Sequence, residues 1–136
     1  MDTAELMIET RARSELVSIT AKVAELARGR GWRDGVLTIF VPHTTAGVTI
    51  NENADPDVAR DMITALDDLV PNSPKFRHGE GNSDAHVKAS LIGSSVQVIL
   101  KGGSIWLGTW QGIYFAEFDG PRHRLVSIAF AGKGGI

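Results

Sequence analysis

Three of the chain's four histidines, His43, His78 and His86, stand among hydroxyls, amides and glycines rather than in apolar runs. Imidazole moves protons near neutral pH and, when neutral, ligates borderline metal ions. The pattern puts His43 at a strand end, His78 in a loop and His86 near the start of a helix. Three rings delivered that way could converge on one ion and leave a fourth position open, the arrangement of a catalytic rather than a structural zinc. Three partly exposed surface histidines would show the same spacing. No His-x-His or His-x-x-x-His pair fixes one geometry, so the spacing leaves both readings open.

A second polar group, Asn51-Glu52-Asn53-Ala54-Asp55, follows a short strand. Asp55 heads Pro56-Asp57 and is first of all a helix N-cap, a place that also suits an anion. Glu52 shares a strand face with Val48 and Ile50. Buried there it needs a partner or a metal, whereas at a strand end it points to solvent. A third stretch, Gly108-Thr109-Trp110-Gln111-Gly112, brackets a tryptophan and an amide between glycines. Glycine in or beside a strand marks a bulge or a close backbone approach. Trp110 is expected in the core, and Gln111 can both donate to and accept from a ligand. Glu117 and Asp119 fall in phase with Ile113 and Phe115, and Arg122 can pair with Asp119 across a Gly-Pro turn. Lys88 and Lys101 could meet a phosphate, although solvated lysine is the default.

The elements that must position these residues follow from periodicity. Residues 4–10 read as a strand and residues 16–19 as a short extended piece. Thr20 is the expected N-cap of a helix over 21–30, ended by Gly29 and Gly31. Residues 35–41 form a β-branched strand and 47–52 a second, joined by a turn at 43–46. The sequence Asp55-Pro56-Asp57 starts a helix that runs to about Val70 and is expected to bury Val58, Met62, Ala65, Leu66 and Leu69. A loop over 71–82 leads to a helix over 83–92, closed by Gly93. Strands over 95–100, 104–109, 112–118 and 123–130 complete the chain as an antiparallel meander, with hairpin turns at 101–104 and 119–122. The expectation is one α+β domain over residues 1–136.

Composition narrows the function. The 136 residues suffice for one core, and 43% hydrophobic with 22% charged residues is ordinary for a globular protein. A net charge of −2 argues against nucleic acid as the main partner. Without cysteine there is no disulfide, thiolate ligand or thiol nucleophile. No run suits a membrane span, and acidic residues within 1–20 argue against a signal peptide, so a cytoplasmic location is expected. P-loop, Gly-x-Gly-x-x-Gly and Gly-x-Ser-x-Gly signatures are missing.

The blocks His43-Thr44-Thr45-Ala46-Gly47, Asn51-Glu52-Asn53-Ala54-Asp55-Pro56-Asp57-Val58 with Asp61, His78 with Glu80-Gly81-Asn82, His86-Val87-Lys88-Ala89-Ser90 with Gly93, Gly108-Thr109-Trp110-Gln111-Gly112-Ile113-Tyr114 and Phe118-Asp119-Gly120-Pro121-Arg122 resemble the YjbQ-like family, often called secondary thiamine-phosphate synthase. The similarity spans nearly the whole chain with the blocks in order. It implies an α+β fold with a mixed, largely antiparallel sheet and about three helices, assembled as a homotrimer. It implies thiamine-phosphate synthase activity, in which hydroxymethylpyrimidine diphosphate joins thiazole phosphate with loss of pyrophosphate. It further implies a divalent ion, zinc by ligand type, held by His43, His78 and His86. On that reading Glu52, Glu80 and Gln111 are the expected catalytic groups, and Thr44, Thr45, Asn51, Lys88 and Thr109 orient a small anionic substrate. Metal-assisted hydrolysis of a phosphorylated metabolite fits the same ligands, and a non-catalytic trimer that captures such a metabolite is the alternative from another class.

Overall fold

A chain with one strand apolar on every residue and others apolar on alternate residues must build more than one layer. Residues 113–116, Ile-Tyr-Phe-Ala, offer apolar side chains to both faces, so their strand needs cover on both sides. In a computed structural model that describes residues 1–134, this strand sits in the middle of the molecule. The elements in order are β1 Asp2–Glu9, β2 Glu15–Ser18, α1 Thr20–Gly29, β3 Trp32–Phe40, β4 Ala46–Glu52, α2 Pro56–Leu69, α3 Ser83–Ile92, β5 Ser95–Lys101, β6 Ser104–Trp106, β7 Gln111–Glu117 and β8 His123–Gly134. They form a five-stranded sheet, β1-β8-β3-β5-β6, and a three-stranded sheet, β2-β7-β4. Every pairing between the described strands is antiparallel. The fold is α+β, as expected, but with two sheets.

The two sheets and α1 enclose the main core. Leu37, Ile39, Val98, Leu100, Val126 and Ile128 of the larger sheet meet Val48, Ile113 and Phe115 of the smaller one, with Ile19, Val23 and Ala27 beside them. The other side of the small sheet carries a second cluster, in which Ala116 and Phe118 pack with Ala85 and Ala89 of α3. Trp32 stacks on Phe130 with ring centroids 5.2 Å apart.

The late strands differ from the expected meander. Only the β5–β6 hairpin forms, turning through Gly102 and Gly103, both at positive φ. β7 then leaves for the centre of the small sheet, and β8 returns to lie between β1 and β3. The reason is side-chain phase. β7 is buried from Gly112 through Glu117, whereas the first part of β8 alternates, so the two cannot be neighbours on one half-solvated sheet. Residues 119–122 therefore bridge the two sheets instead of closing a hairpin. The strand expected over 104–109 stops at Trp106, and Trp110, expected in the core, is 63% exposed.

The helices show two further differences. Thr20 does not cap α1: the cap position is Ile19, without a side-chain hydrogen bond. Its hydroxyl instead accepts from the Ile113 N–H at 2.8 Å, tying the helix to β7. In α2, Asp55 caps as expected, accepting from the Asp57 N–H at 2.9 Å. Yet no α2 residue is fully buried, Ala65 is exposed and Leu69 is 74% exposed. The helix lies against β2 at the rim of the small sheet, and only Ile63 and Leu66 reach the second cluster, so its apolar stripe is wider than its support.

Two contacts fix the part of the fold that carries the histidines. Gly47 of β4 lies under the C-terminal end of α3, where an added Cβ would stand 2.5 Å from the Gly93 carbonyl oxygen and 3.2 Å from Ile92 Cγ2. Backbone therefore packs on backbone, and Val48 N–H donates to the same Gly93 oxygen at 3.1 Å. The second contact is a buried ion pair. Glu117, fully buried, accepts from Thr10 Oγ1 at 2.7 Å, from Arg124 Nε at 2.9 Å and from the N–H groups of Phe118 and Asp119 at 3.1 Å each. Arg124 Nη2 meets its other oxygen and also donates to Thr45 Oγ1 at 2.9 Å. Burial alone would push the Glu117 carboxyl up, but the donors from Arg124, Thr10 and Asp119 outweigh it and hold it below its usual value.

Both contacts lead to measurable expectations. Gly47→Ala should lower stability by about 1–3 kcal/mol in a urea titration, because the new methyl meets backbone rather than a movable side chain; an unchanged midpoint would mean that α3 can retreat freely. For Glu117 the unfolded chain takes up the proton first, so stability is held above the ordinary glutamate range near about 4.3 and falls as the pH drops toward the lower folded value. Glu117→Gln should cost about 3–5 kcal/mol at neutral pH and make the acid slope shallower, with Asp84 and Asp119, also held down in the fold, keeping part of it. A variant with parental stability and the parental acid slope would contradict the assignment.

Candidate functional site

The loop between β3 and β4 starts where Val41 N–H donates to the Ser94 carbonyl at 2.8 Å. It ends where the Phe118 N–H donates to the Thr45 carbonyl at 3.1 Å. Between these anchors His43 turns toward β8. Its Nε2 lies 2.9 Å from the Leu125 N–H nitrogen and 3.1 Å from the Leu125 carbonyl oxygen. With Nε2 accepting from the amide, the ring proton sits on Nδ1; with Nε2–H donating to the carbonyl, Nδ1 keeps its lone pair. Burial first, then the Arg124 charge, pushes the His43 pKa down and so favours the neutral ring, against the upward pull of the Leu125 hydrogen bond.

His43 opens onto a cavity of about 450 Å³, whose walls also include Thr44, Thr45, His78, Glu80, Asn82, His86, Asp119, Arg122 and Arg124. The His78 and His86 rings stand edge to face with centroids 5.5 Å apart. Glu80 reaches to 4.0 Å from His78 Nε2 and is largely exposed. A second cavity of about 490 Å³ shares His43, Thr44 and His86 and adds Ser90 and Ser94. Three histidines, one carboxylate and two hydroxyl residues of the sequence-derived set thus share a single cavity. Among the described residues no three histidine or carboxylate groups stand close enough together to hold an ion as the rings are oriented. The chemistry of the donors still fits a borderline divalent ion, since three imidazoles, one of them kept neutral by burial, are the ligand type that zinc takes.

The remaining expected residues lie elsewhere. β4 carries the chain from Ala46, beside the cavity, to Glu52, six residues and so about 20 Å away. Glu52 pairs with Gln111 and Asn51 with Gly112 across the β4–β7 ladder. Gln111 Oε1 accepts from the Gly108 N–H at 2.8 Å and so shapes its own loop. Thr109 and Asn51 are exposed in that same region, and Glu52 is half-buried. Within the chain these four residues are therefore separate from the histidines. Lys88, two residues after His86 on α3, points to another side of the helix. It is 2% exposed and held 2.6 Å from Asp67 Oδ1 and 3.6 Å from Asp84 Oδ2, with Arg13 on Asp84 at 3.2 Å. This is an ion network that fastens α3 to α2 and the β1–β2 loop.

Sequence reasoning did not single out Asn82 or Arg124 as site residues. Arg124 falls in phase with Val126, Ile128 and Phe130 on β8, as Glu117 does with Ile113 and Phe115 on β7. Opposite charges that share a register with core residues signal a buried pair. Asn82 carries no such signal. It occupies the N-cap position of α3 without capping it, and its Nδ2 donates to Asp119 Oδ2 at 2.8 Å. Arg122 completes the wall, with Nη2 at 3.0 Å from Asp119 Oδ2 and Nε donating to the Asp119 carbonyl at 2.8 Å. Burial pushes Asp119 up, but Asn82 and Arg122 prevail and hold it below the usual carboxylate range.

The chain as a whole is similar to several known proteins. A UPF0047 protein of Methanocaldococcus jannaschii is 53% identical over 125 residues, covering 92% of this chain and 91% of its own length. YugU of Bacillus subtilis, also a UPF0047 protein, is 49% identical over 128 residues, covering 93% and 97% respectively. The crystal structure of an uncharacterized conserved protein of the YjbQ/UPF0047 family from Clostridium acetobutylicum superposes with a TM-score of 0.90 at 50% identity, over 94% of this chain and 99% of that one. A hypothetical protein from Aeropyrum pernix gives a TM-score of 0.92 at 36% identity, over 98% and 100%. The family profile described as UPF0047 protein YjbQ-like matches residues 4–133. With its fold and nearly its whole length matched in this way, the chain belongs to the YjbQ-like UPF0047 family.

Proposed function

We propose that the chain is a metal-assisted enzyme acting on a small phosphorylated metabolite, and that thiamine-phosphate-synthase-type transfer is one form of that chemistry. The observation that supports this most directly is the cavity shared by His43, His78 and His86, whose wall also includes Arg122 and Arg124. His43, His78 and His86 would hold the ion. When bound, a divalent cation there supplies Lewis acidity that offsets the charge growing on a departing phosphate or pyrophosphate. The chain's own groups do the rest. Arg122 and Arg124 bind the anionic end of the substrate. The Leu125 backbone orients the His43 ring through Nε2. Glu80, beside His78, accepts or returns a proton. Hydrolysis of a phosphorylated metabolite uses the same groups, and the exposure of Glu80 to water favours it as the second reading. Assembly as a homotrimer belongs to the same proposal, and the exposure of Leu69 (74%), Trp106 (55%) and Trp110 (63%) supports a covered surface.

Elemental analysis of the purified chain after zinc supplementation should find a stoichiometric divalent ion. His43→Ala and His86→Ala should lose it while remaining folded, and turnover of hydroxymethylpyrimidine diphosphate with thiazole phosphate, or of phosphate-ester substrates, should fall by at least about a hundredfold. Full turnover with undiminished metal in both variants would end the proposal. Light scattering should give about three times the 14.6 kDa chain mass; a monomer would remove the assembly from it.

A further inference from the structure

The two cavities that adjoin at His43, Thr44 and His86 differ in charge. The one of about 450 Å³ has Glu80, Asp119, Arg122 and Arg124 in its wall. The one of about 490 Å³ has no aspartate, glutamate, lysine or arginine in its wall among the described residues. Beyond the shared residues, its polar side chains are those of Ser90 and Ser94. A molecule that spans both cavities therefore runs from a charged compartment into an uncharged one, and passes His43 and His86 on the way.

Helix geometry explains the uncharged compartment. Ser90 and Gly93 follow His86 by four and seven residues, so the three stand on one stripe along α3, over a length of about 10 Å. That stripe tapers from an imidazole through a hydroxyl to no side chain, and the facing wall at Ala46 offers only a methyl group. Backbone bonds fix the spacing between the walls. Val41 N–H donates to the Ser94 carbonyl at 2.8 Å and Val48 N–H to the Gly93 carbonyl at 3.1 Å. The result is a groove that its own side chains do not fill. Thr44, Ser90 and Ser94 are exposed, and a hydroxyl both donates and accepts, so the groove can match a neutral polar group of either kind. A carboxylate or a second phosphate placed there would lose water without meeting a cation, which is unfavourable.

We propose that the groove at Ser90 and Ser94 is the subsite for the organic moiety of the phosphorylated metabolite, and that it selects an uncharged, hydroxyl-bearing group over an acidic group of the same size. The phosphate then lies on the side of Arg122 and Arg124, and the bond that joins it to the organic moiety runs beside His43 and His86. Ser90 is the specificity-determining residue. The inference rests on the reading of the histidine cavity as an anion site and adds the chemical class of the group beyond it.

The test is a calorimetric titration of the full chain at mildly alkaline pH, where ordinary imidazole is neutral. Three probes are used: inorganic phosphate, the terminal phosphate ester of glycerol and the terminal phosphate ester of glycerate. The two esters share a carbon skeleton and differ in a hydroxymethyl group against a carboxylate. Glycerol phosphate is expected to bind about tenfold or more tighter than either of the others. Ser90→Leu fills the groove at an exposed helix position where leucine is the better helix former, so α3 is not weakened. In this variant glycerol phosphate should fall to within about twofold of inorganic phosphate, whose own affinity should change by less than about twofold. If glycerol phosphate binds no tighter than inorganic phosphate in the unmutated chain, the groove holds no organic moiety and the inference fails while the anion-site reading stands. Equal binding of the two esters would overturn the selection against charge. A preference that survives Ser90→Leu would place the organic moiety elsewhere and overturn the subsite. If none of the three probes binds, the anion-site reading falls together with the inference.

Discussion

A carboxylate with no access to water is held in this protein only because five donors meet it. Glu117 lies at the end of the central strand, and its partners come from Thr10 after β1, from Arg124 at the start of β8 and from the backbone that leaves β7. No other group in the described chain ties so many separate segments to one point. An unpaired charge at that depth would be intolerable, so the ends of β1, β7 and β8 must converge. Thr45 joins the convergence through Arg124, and with it the loop that carries His43. The geometry of the histidine cavity is thus an outgrowth of an electrostatic requirement of the core.

That requirement explains why the cavity lies where it does. The two sheets share a core, and their strands come together at the end where Glu117 and Arg124 meet. The β3–β4 loop, the bridge from β7 to β8 and the start of α3 all arrive at this end, and each contributes polar groups to one wall. The opposite end of β4 carries a different assembly, with Tyr114 donating its hydroxyl hydrogen toward the Glu52 carbonyl or Asn53 Oδ1. A single strand thus has a polar cluster at each end, and the core keeps them apart.

Much of this was legible in the residues. Helix α3 and its glycine stop and the Asp55 cap followed from local rules, because caps and turns are decided by near neighbours; the three histidines named with the motif line one cavity, but among the described residues they do not stand close enough to hold one ion. The partition of strands between two sheets did not follow. β7 and β8 are joined by a short turn, and adjacency in sequence suggested adjacency in space; only the two-sided burial of residues 113–116 argued otherwise. Trp110 misled for a related reason, since a large apolar residue next to a strand is usually buried. Asn82 was invisible because an asparagine before a helix reads as a cap. Its actual partner, Asp119, is 37 residues away, and long-range pairing of that kind leaves no trace in local pattern.

The contact between Gly47 and Gly93 has one further consequence. Where helix and strand are separated by side chains, each replacement in the core alters their spacing a little. Here the two backbones touch, so the gap between the β4 edge and the end of α3 is set by atoms that every amino acid shares. The distance from the His43 loop to the helix bearing His86 is therefore insulated from drift elsewhere in the core. Sequences that diverge widely in their apolar residues can keep the same pocket, provided position 47 stays without a side chain and position 93 keeps the positive φ that favours glycine.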